Sequence, residues 1–313
     1  MFTVTRLTQA LVVAGATFLA GNAHADAYAV ATDNIRSGAI TPTGAITFAS
    51  PAPESSTSAS LNGVGGSTDS VLPNPDSPVS TVGTPVRGNE SLIGAGPYYS
   101  LFGTPNTDYS WGDADTVQEQ TATKKIETRN AAETNIALKG RGNADGTSKS
   151  STELTVGICG AGGCSLSFAF DADPYINVSV DGAAAAGSVA RGTLAFEITL
   201  TDSTGGVVFN WKPDGKAGGI VGGTEFADPE NLNLTLAAFK GKSLTHSGPY
   251  AGGTFMSYSA KTDSLASGDY TLSLVVNEKT DVKRTPAIPE PETYALMLAG
   301  LGAMGFVARR RKS

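Results

Sequence analysis

The sequence predicts a mainly β protein: an antiparallel β-sandwich of jelly-roll type, preceded by an export signal and followed by a single membrane helix. Three observations carry that expectation. From Ser150 onward apolar and polar residues alternate in short runs separated by Gly, Asp, Asn and Pro, the period-2 pattern of half-buried strands. The composition joins 38 glycines to abundant Ser and Thr with only 16% charged residues, as in a β-rich extracellular chain with long loops. The long apolar stretches sit at the two ends, where they mark segments outside the folded body.

At the N-terminus, Met1–Gln9 carries one cation, Arg6, and an apolar run follows from Ala10 to Ala20. Ala23-His24-Ala25 then supplies a small-x-small cleavage site, Ala23 and Ala25 being the residues a signal peptidase reads. Residues 1–25 are therefore a Sec signal peptide, leaving through the Sec translocon and excluded from the fold. The mature chain starts at Asp26.

Residues 26–149 are a Ser/Thr/Pro/Gly-rich region expected to be partly irregular. Between Ser50 and Ser91, stretches such as Pro51–Ser60 and Leu72–Ser80 hold little to bury and read as a linker or a long ordered loop. Thr116–Leu138 admits a helix or a strand pair: Val117, Ile126, Ala131 and Ile136 share no helical face.

Residues 150–284 form the sandwich core. The alternating runs are Leu154-Val156-Ile158, Leu166-Phe168-Phe170, Ile176-Val178-Val180, Leu194 to Leu200, Val207-Phe209-Trp211, Leu232-Leu234-Leu236 and Tyr270 to Val276. Thr201–Gly206 reads as a hairpin loop between two of them. Seven or eight such strands suit a sandwich. Cys159 and Cys164, separated by Gly-Ala-Gly-Gly, are expected to close a small disulfide loop in an oxidising compartment. That narrow spacing is unlike an inter-sheet immunoglobulin bridge and favours the jelly-roll.

The body is acidic, with 27 carboxylates against 17 Lys and Arg between Asp26 and Ile288. Nothing basic stands out along the sequence, so nucleic acid is excluded as a partner and anionic polymers are expected to be repelled. Catalysis is not expected. His24 leaves with the signal peptide, so a Ser-His-Asp triad would need His246 in a loop-like setting. A glycosidase pair would have to come from Glu197, Glu225 or Glu230. No cofactor is indicated. Calcium is the one ion the acidic turns admit, with Asp171 and Asp173 as its weak candidates, although Asp near Gly or Pro is ordinary turn chemistry. Trp211, Tyr250 and Tyr258 are candidates for a sugar-stacking platform, Trp211 having the spacing of a core residue.

The C-terminal residues 285–313 hold the most specific pattern. Pro289-Glu290-Pro291-Glu292 precedes an uncharged stretch, Tyr294–Ala308, and then Arg309-Arg310-Arg311-Lys312. As a helix, those 15 residues span roughly 22 Å, a short membrane anchor. Tyr294 is placed as an interfacial aromatic, Leu298 and Phe306 supply hydrophobicity, and the four cations stay cytoplasmic. Pro289 and Pro291 keep the approach extended. The arrangement resembles the PEP-CTERM sorting signal of exosortase substrates, in which a Pro-Glu-Pro triplet precedes a hydrophobic helix and an Arg-rich end. The resemblance implies that an exosortase in the inner membrane of a Gram-negative bacterium recognises the triplet and cleaves at or near it. The product would pass from a membrane intermediate to the cell surface or matrix, associated with exopolysaccharide or biofilm. A softer resemblance, to a family of exosortase-dependent surface proteins, rests on Asp171-Ala-Asp173-Pro174, Phe209–Gly215, Asp228–Asn233 and Gly268–Leu272. It adds no chemistry. A non-enzymatic surface protein is the first expectation; a carbohydrate-binding sandwich, calcium-dependent or not, is the second.

Overall fold

The computed structural model describes residues 27–49, 52–71, 79–83, 107–120, 124–137, 140–157, 163–246, 255–285, 298–304 and 309. Eighteen strands run through them. In chain order these are β1 (Ala27–Thr43), β2 (Ile46–Phe48), β3 (Ala52–Leu61), β4 (Val64–Val71), β5 (Val79–Gly83), β6 (Tyr109–Gln120), β7 (Lys124–Ile136) and β8 (Gly140–Val156). Then follow β9 (Ser165–Ala172), β10 (Tyr175–Val180), β11 (Val189–Asp202), β12 (Val207–Trp211), β13 (Ile220–Val221) and β14 (Gly223–Ala227). The last four are β15 (Leu234–Phe239), β16 (Lys242–His246), β17 (Met256–Thr262) and β18 (Gly268–Arg284).

They form two antiparallel nine-stranded sheets, a β-sandwich. The first sheet runs β14-β17-β9-β1-β7-β6-β5, with β10 sharing an edge of β1 with β9 and carrying β16 beyond it. The second runs β13-β12-β11-β18-β8-β3-β4, with β15 beside β12 on β11 and β2 beside β3 on β8. Most alternating runs of the C-terminal half fall on strands as expected, save that Leu232 precedes β15 and Ile158 lies outside the described residues, and Thr201–Gly206 joins β11 to β12. Asp202 Oδ1 accepts from the backbone N–H groups of Thr204 and Gly206 at 2.8 and 2.9 Å and holds that turn.

Two N-terminal expectations need correction. The division at residue 150 falls inside β8, which pairs with β18 from Gly140 to Val156. No seam exists there, because β1 and β8 sit in the middle of the two sheets and strands of both halves interleave. The Ser50–Ser91 stretch is not merely a linker: β3 and β4 pair as a hairpin from Glu54 to Val71. Ser55, Thr57 and Ala59 of β3 are buried, so small polar residues build a strand that a hydrophobicity pattern does not reveal. Of the two readings of Thr116–Leu138, the strand pair is correct, since β6 and β7 pair from Tyr109 to Gln120.

The interior divides along the strands. At one end Phe168, Phe170, Phe196, Phe209, Trp211 and Tyr258 pack an aromatic cluster, with Phe170 stacked on Tyr258 at 5.0 Å between ring centroids and 4.8 Å from Phe196. At the other end Ala29 and Ala31 pair with Val178 and Ile176 of β10 in the same sheet and cluster with Ala27 and, from the second sheet, Leu194, and the small alanine side chains let the sheets approach closely. A bulge between Ile35 and Gly38 shifts the register of β1 against both neighbours, with Ser37 at φ 54°. The extra residue reverses the alternation, so Ile35 and Ile40 both enter the aromatic cluster.

Candidate functional site

The residues quoted above as motif blocks converge at the aromatic end of the sandwich. Asp214 and Asn231 form an isolated β-bridge, and Leu232 N donates to Pro213 O at 3.1 Å. Asp228 Oδ2 accepts from the backbone N–H groups of Asp214 and Gly215 at 2.8 and 2.9 Å. Gly215, at φ 76°, occupies the left-handed conformation that this turn requires. Asn233 ties the loop to the sheet: its Oδ1 accepts from Phe196 N at 3.0 Å and its Nδ2 donates to Pro213 O at 2.9 Å. Glu225 receives the Trp211 indole N–H at 2.7 Å and Gly218 N–H at 2.9 Å. His246 Nε2 donates to Asn231 O at 2.9 Å, and its Nδ1 lies 3.5 Å from Glu230 Oε1.

Beneath this network lies a buried acidic pair. Asp33 of β1 is 1% exposed, and Asp173, in the gap between β9 and β10, is 6% exposed. Asp173 N donates to Asn34 O at 3.1 Å where β9 leaves the edge of β1. Burial first, and the neighbouring Asp173 second, push the Asp33 carboxyl up to about 8. Burial raises Asp173 to about 6, against a smaller pull downward from Arg36. Tyr258 donates its hydroxyl to Glu230 O at 3.2 Å, and its ionisation is driven well above the usual phenol range by burial, then by Asp33, Asp228, Glu230 and Asp173. Two carboxyls in a low-dielectric site favour the protonated form, so the chemistry of this cluster is to hold a proton near neutral pH.

The remaining predicted residues are distributed as follows. Asp171 and Asp173 do not share a site: Asp171 accepts from Ser257 Oγ at 2.7 Å and lies 3.9 Å from Arg36 Nε, whereas Asp173 turns inward. Among the described residues no three His, Cys, Asp or Glu side chains gather as a metal centre would require. Trp211 and Tyr258 are 0% and 1% exposed, so they belong to the core and cannot stack on a sugar at the surface; Tyr250 lies outside the described residues. Glu197 faces outward, 3.2 Å from Lys212 Nζ and bonded by Asn210 and Thr199, and these partners, outweighing partial burial, hold its carboxyl pKa below the usual value and keep it ionised. Cys164 is buried and bridges to Leu265 at the start of β9, with Leu265 N donating to Cys164 O at 2.7 Å. Its expected partner Cys159 lies outside the described residues. So do Ala23, Ala25, Pro289, Glu290, Pro291, Tyr294, Phe306, Arg310, Arg311 and Lys312. Residues 298–304 are helical, with Leu298, Leu301 and Met304 exposed, and Arg309 is helical and exposed. Among the described residues no helix is long and apolar enough to cross a membrane.

Sequence reasoning missed Asp33, because the strand carrying it is written in alanine. The available signal was an acidic residue inside the run Ala27–Ile35, directly after six residues with no charge.

The chain is thus a two-sheet β-sandwich with a distinct C-terminal tail. The family model for the PEP-CTERM protein-sorting motif matches residues 287–312. The chain carries that sorting signal and is in this sense a PEP-CTERM protein: a bacterial, exported, exosortase-targeted protein of the cell surface or extracellular space, with exosortase as its processing partner. No curated protein matches it. One solved structure, of infectious bursal disease virus strain Gx, aligns over 91% of this chain and 75% of that chain at 12% identity. Its TM-score of 0.10 carries no argument about fold or function.

Proposed function

We propose that the mature chain is a non-enzymatic surface or matrix protein of a Gram-negative bacterium, held as an inner-membrane intermediate by Tyr294–Ala308 and Arg309–Lys312 and then released by cleavage near Pro289-Glu290-Pro291. Its place is among exopolysaccharide at the cell surface or in the biofilm. The observation that carries this reading is the sorting motif at residues 287–312, beginning only a few residues after the last strand ends at Arg284. The site geometry agrees with a structural role. Its carboxylates are spent on backbone N–H groups of loops and on a buried proton, and His246 is engaged by Asn231 and Glu230. The disulfide Cys159–Cys164 belongs to the same reading, as a pin on the loop before β9.

Replacing Pro289-Glu290-Pro291 with Ala-Ala-Ala tests it. Intact-mass measurement of inner-membrane and surface fractions is expected to show the wild-type surface species starting at Asp26 and lacking Arg309–Lys312. The variant is expected to accumulate as a membrane-retained precursor. Normal release of the variant, or a surface species that keeps its basic end, would overturn the proposal.

A further inference from the structure

The outward face of the second sheet collects charges that lie far apart in the sequence. Arg191 on β11 pairs in register with Asp281 on β18, Lys279 on β18 with Asp145 on β8, and Lys283 with Arg141. Four cations from three strands therefore gather around Asp281 on one end of the face, in a body whose charge is otherwise strongly negative. Asp281 organises the centre: Arg141 Nε and Nη2 donate to it at 3.2 and 3.3 Å, and Arg191 Nη1 lies 3.8 Å away. The Arg141 and Arg191 side chains are 67% and 49% exposed, and each guanidinium has more donors than Asp281 occupies. Between them lies a depression of about 460 Å³, whose floor also includes Ser58, Asn143 and Thr193.

An aromatic ring borders this surface. Phe239 of β15 is 56% exposed and pairs with Val189, itself opposite Lys283, while its neighbour Ala237 pairs with Arg191. A phenyl ring left in water beside cations, hydroxyls and an amide offers three complementary contacts to one kind of ligand. Phe239 and Ser58 lie four strands apart, about 19 Å, so successive sugars of a polymer share the contacts: one covers the phenyl ring, its neighbours' hydroxyls meet Thr193, Asn143 and Ser58, and their acidic substituents meet Arg191, Lys279 or Arg141. We infer that this face, centred on Arg141, Arg191, Lys279 and Phe239, binds an acidic polysaccharide, a polymer of uronic-acid type bearing one carboxylate on a sugar.

The charge argument favours that occupant over other polyanions. Exposed charges more than a Debye length apart, about 8 Å at physiological salt, are largely screened, so the local patch governs a ligand seated on it despite the negative body. Duplex nucleic acid carries a charge every ~1.7 Å and meets the surrounding carboxylates along its whole length. A sparsely charged glycan places its carboxylates where the cations are. A lipid surface would require several apolar side chains to insert, and among the described residues this patch presents one ring, Phe239.

The inference deepens the proposed function, since it rests on the mature chain working outside the cell among glycans. Its test is separate from sorting. Full-length protein in detergent is titrated with polygalacturonate, neutral dextran, duplex DNA and phosphatidylglycerol vesicles at 50 and 200 mM NaCl. Polygalacturonate is expected to bind, dextran to fail, and the higher salt to weaken binding by about tenfold. Arg191→Glu with Lys279→Glu is expected to abolish binding, and Phe239→Ala to weaken it several-fold at both salt concentrations. Thermal melting checks that each variant is folded, and Lys283→Glu, at an exposed position, serves if the double variant is not. Equal binding to polygalacturonate and dextran, or unchanged affinity in a folded charge-reversal variant, refutes the inference. DNA or vesicles binding as tightly as polygalacturonate, with the same loss on charge reversal, also refutes it, by showing a general anion surface. A failed PEP substitution experiment with positive polymer binding would leave this inference standing and remove only the sorting reading.

Discussion

Trp211 donates its indole N–H to Glu225 Oε1 over 2.7 Å, joining β12 of the second sheet to β14 of the first. The indole is fully buried, and Glu225 also caps Gly218 N–H. The loop between the two strands is thereby tied to the core from both sides. Glu225→Ala would strand a buried donor, at a cost of about 1–3 kcal/mol. Glu225→Gln keeps an acceptor and should lose less. Urea unfolding of the two variants decides it; equal midpoints would show that the indole finds another partner.

Stability should fall as pH rises. The carboxyl pKa values of Asp33 and Asp173 are raised in the fold, from 3.8 to about 8 and about 6. Between those limits the native state binds more protons than the unfolded chain, so stability is complete below pH 4 for these two groups and is lost through pH 6 to 8. Asp228, also raised chiefly by burial, acts in the same sense; Glu197, lowered by its partners, acts oppositely at acid pH. Asp33→Asn removes the larger contribution and should raise stability at pH 8 by more than ~2 kcal/mol, the gain shrinking progressively as pH falls toward 4. A melting temperature independent of pH between 5 and 8 in the wild type would contradict the buried pair.

Close approach of the sheets predicts a steric penalty. A methyl group at Gly192 would lie 2.6 Å from Ile176 Cγ2 and 3.3 Å from Val30 O. Neither a β-branched side chain nor a backbone carbonyl yields easily, so Gly192→Ala should destabilise by about 1–3 kcal/mol. Gly182, with open space around its Cβ position, is the control, and similar losses at both sites would dismiss the packing argument.

Cysteine chemistry offers a simple check. Among the described residues no cysteine is a free thiol, and the expected Cys159–Cys164 bridge should leave the unreduced, denatured protein unable to take up iodoacetamide. Reduction should add two alkyl groups by mass. Because the loop is short, Cys159→Ser should cost only about 2 kcal/mol or less. Alkylation without reduction would mean that the bridge is absent.

The C-terminal strands were legible because Phe, Leu, Ile and Val alternate there with polar residues, as in Leu194–Leu200 and Tyr270–Val276. β1 was hidden for two reasons. Its inward positions are Ala27, Ala29 and Ala31, too small to register as a hydrophobic stripe, and the bulge at Arg36–Ser37 reverses the alternation before Ile40. β3 buries Ser55 and Thr57, which composition assigns to a linker. The cationic face was illegible for a different reason. Arg141, Arg191 and Lys279 are 50 and 88 residues apart in succession, and only the antiparallel register of β8, β18 and β11 brings them together. The sorting tail needed no fold at all, since its signal is contiguous.

β1 begins at Ala27, near the start of the chain, yet it lies in the middle of its sheet, and β18, the last strand among the described residues, lies in the middle of the other. Neither sheet can close until almost the whole polypeptide has crossed the membrane. Contacts of such wide sequence separation make for slow folding. The nascent strands therefore have to be kept from pairing with other chains while export is under way. Completion of the fold and arrival of the sorting motif at the exosortase become nearly the same event, and a chain truncated before Gly268 would present two open sheet edges in place of one finished body.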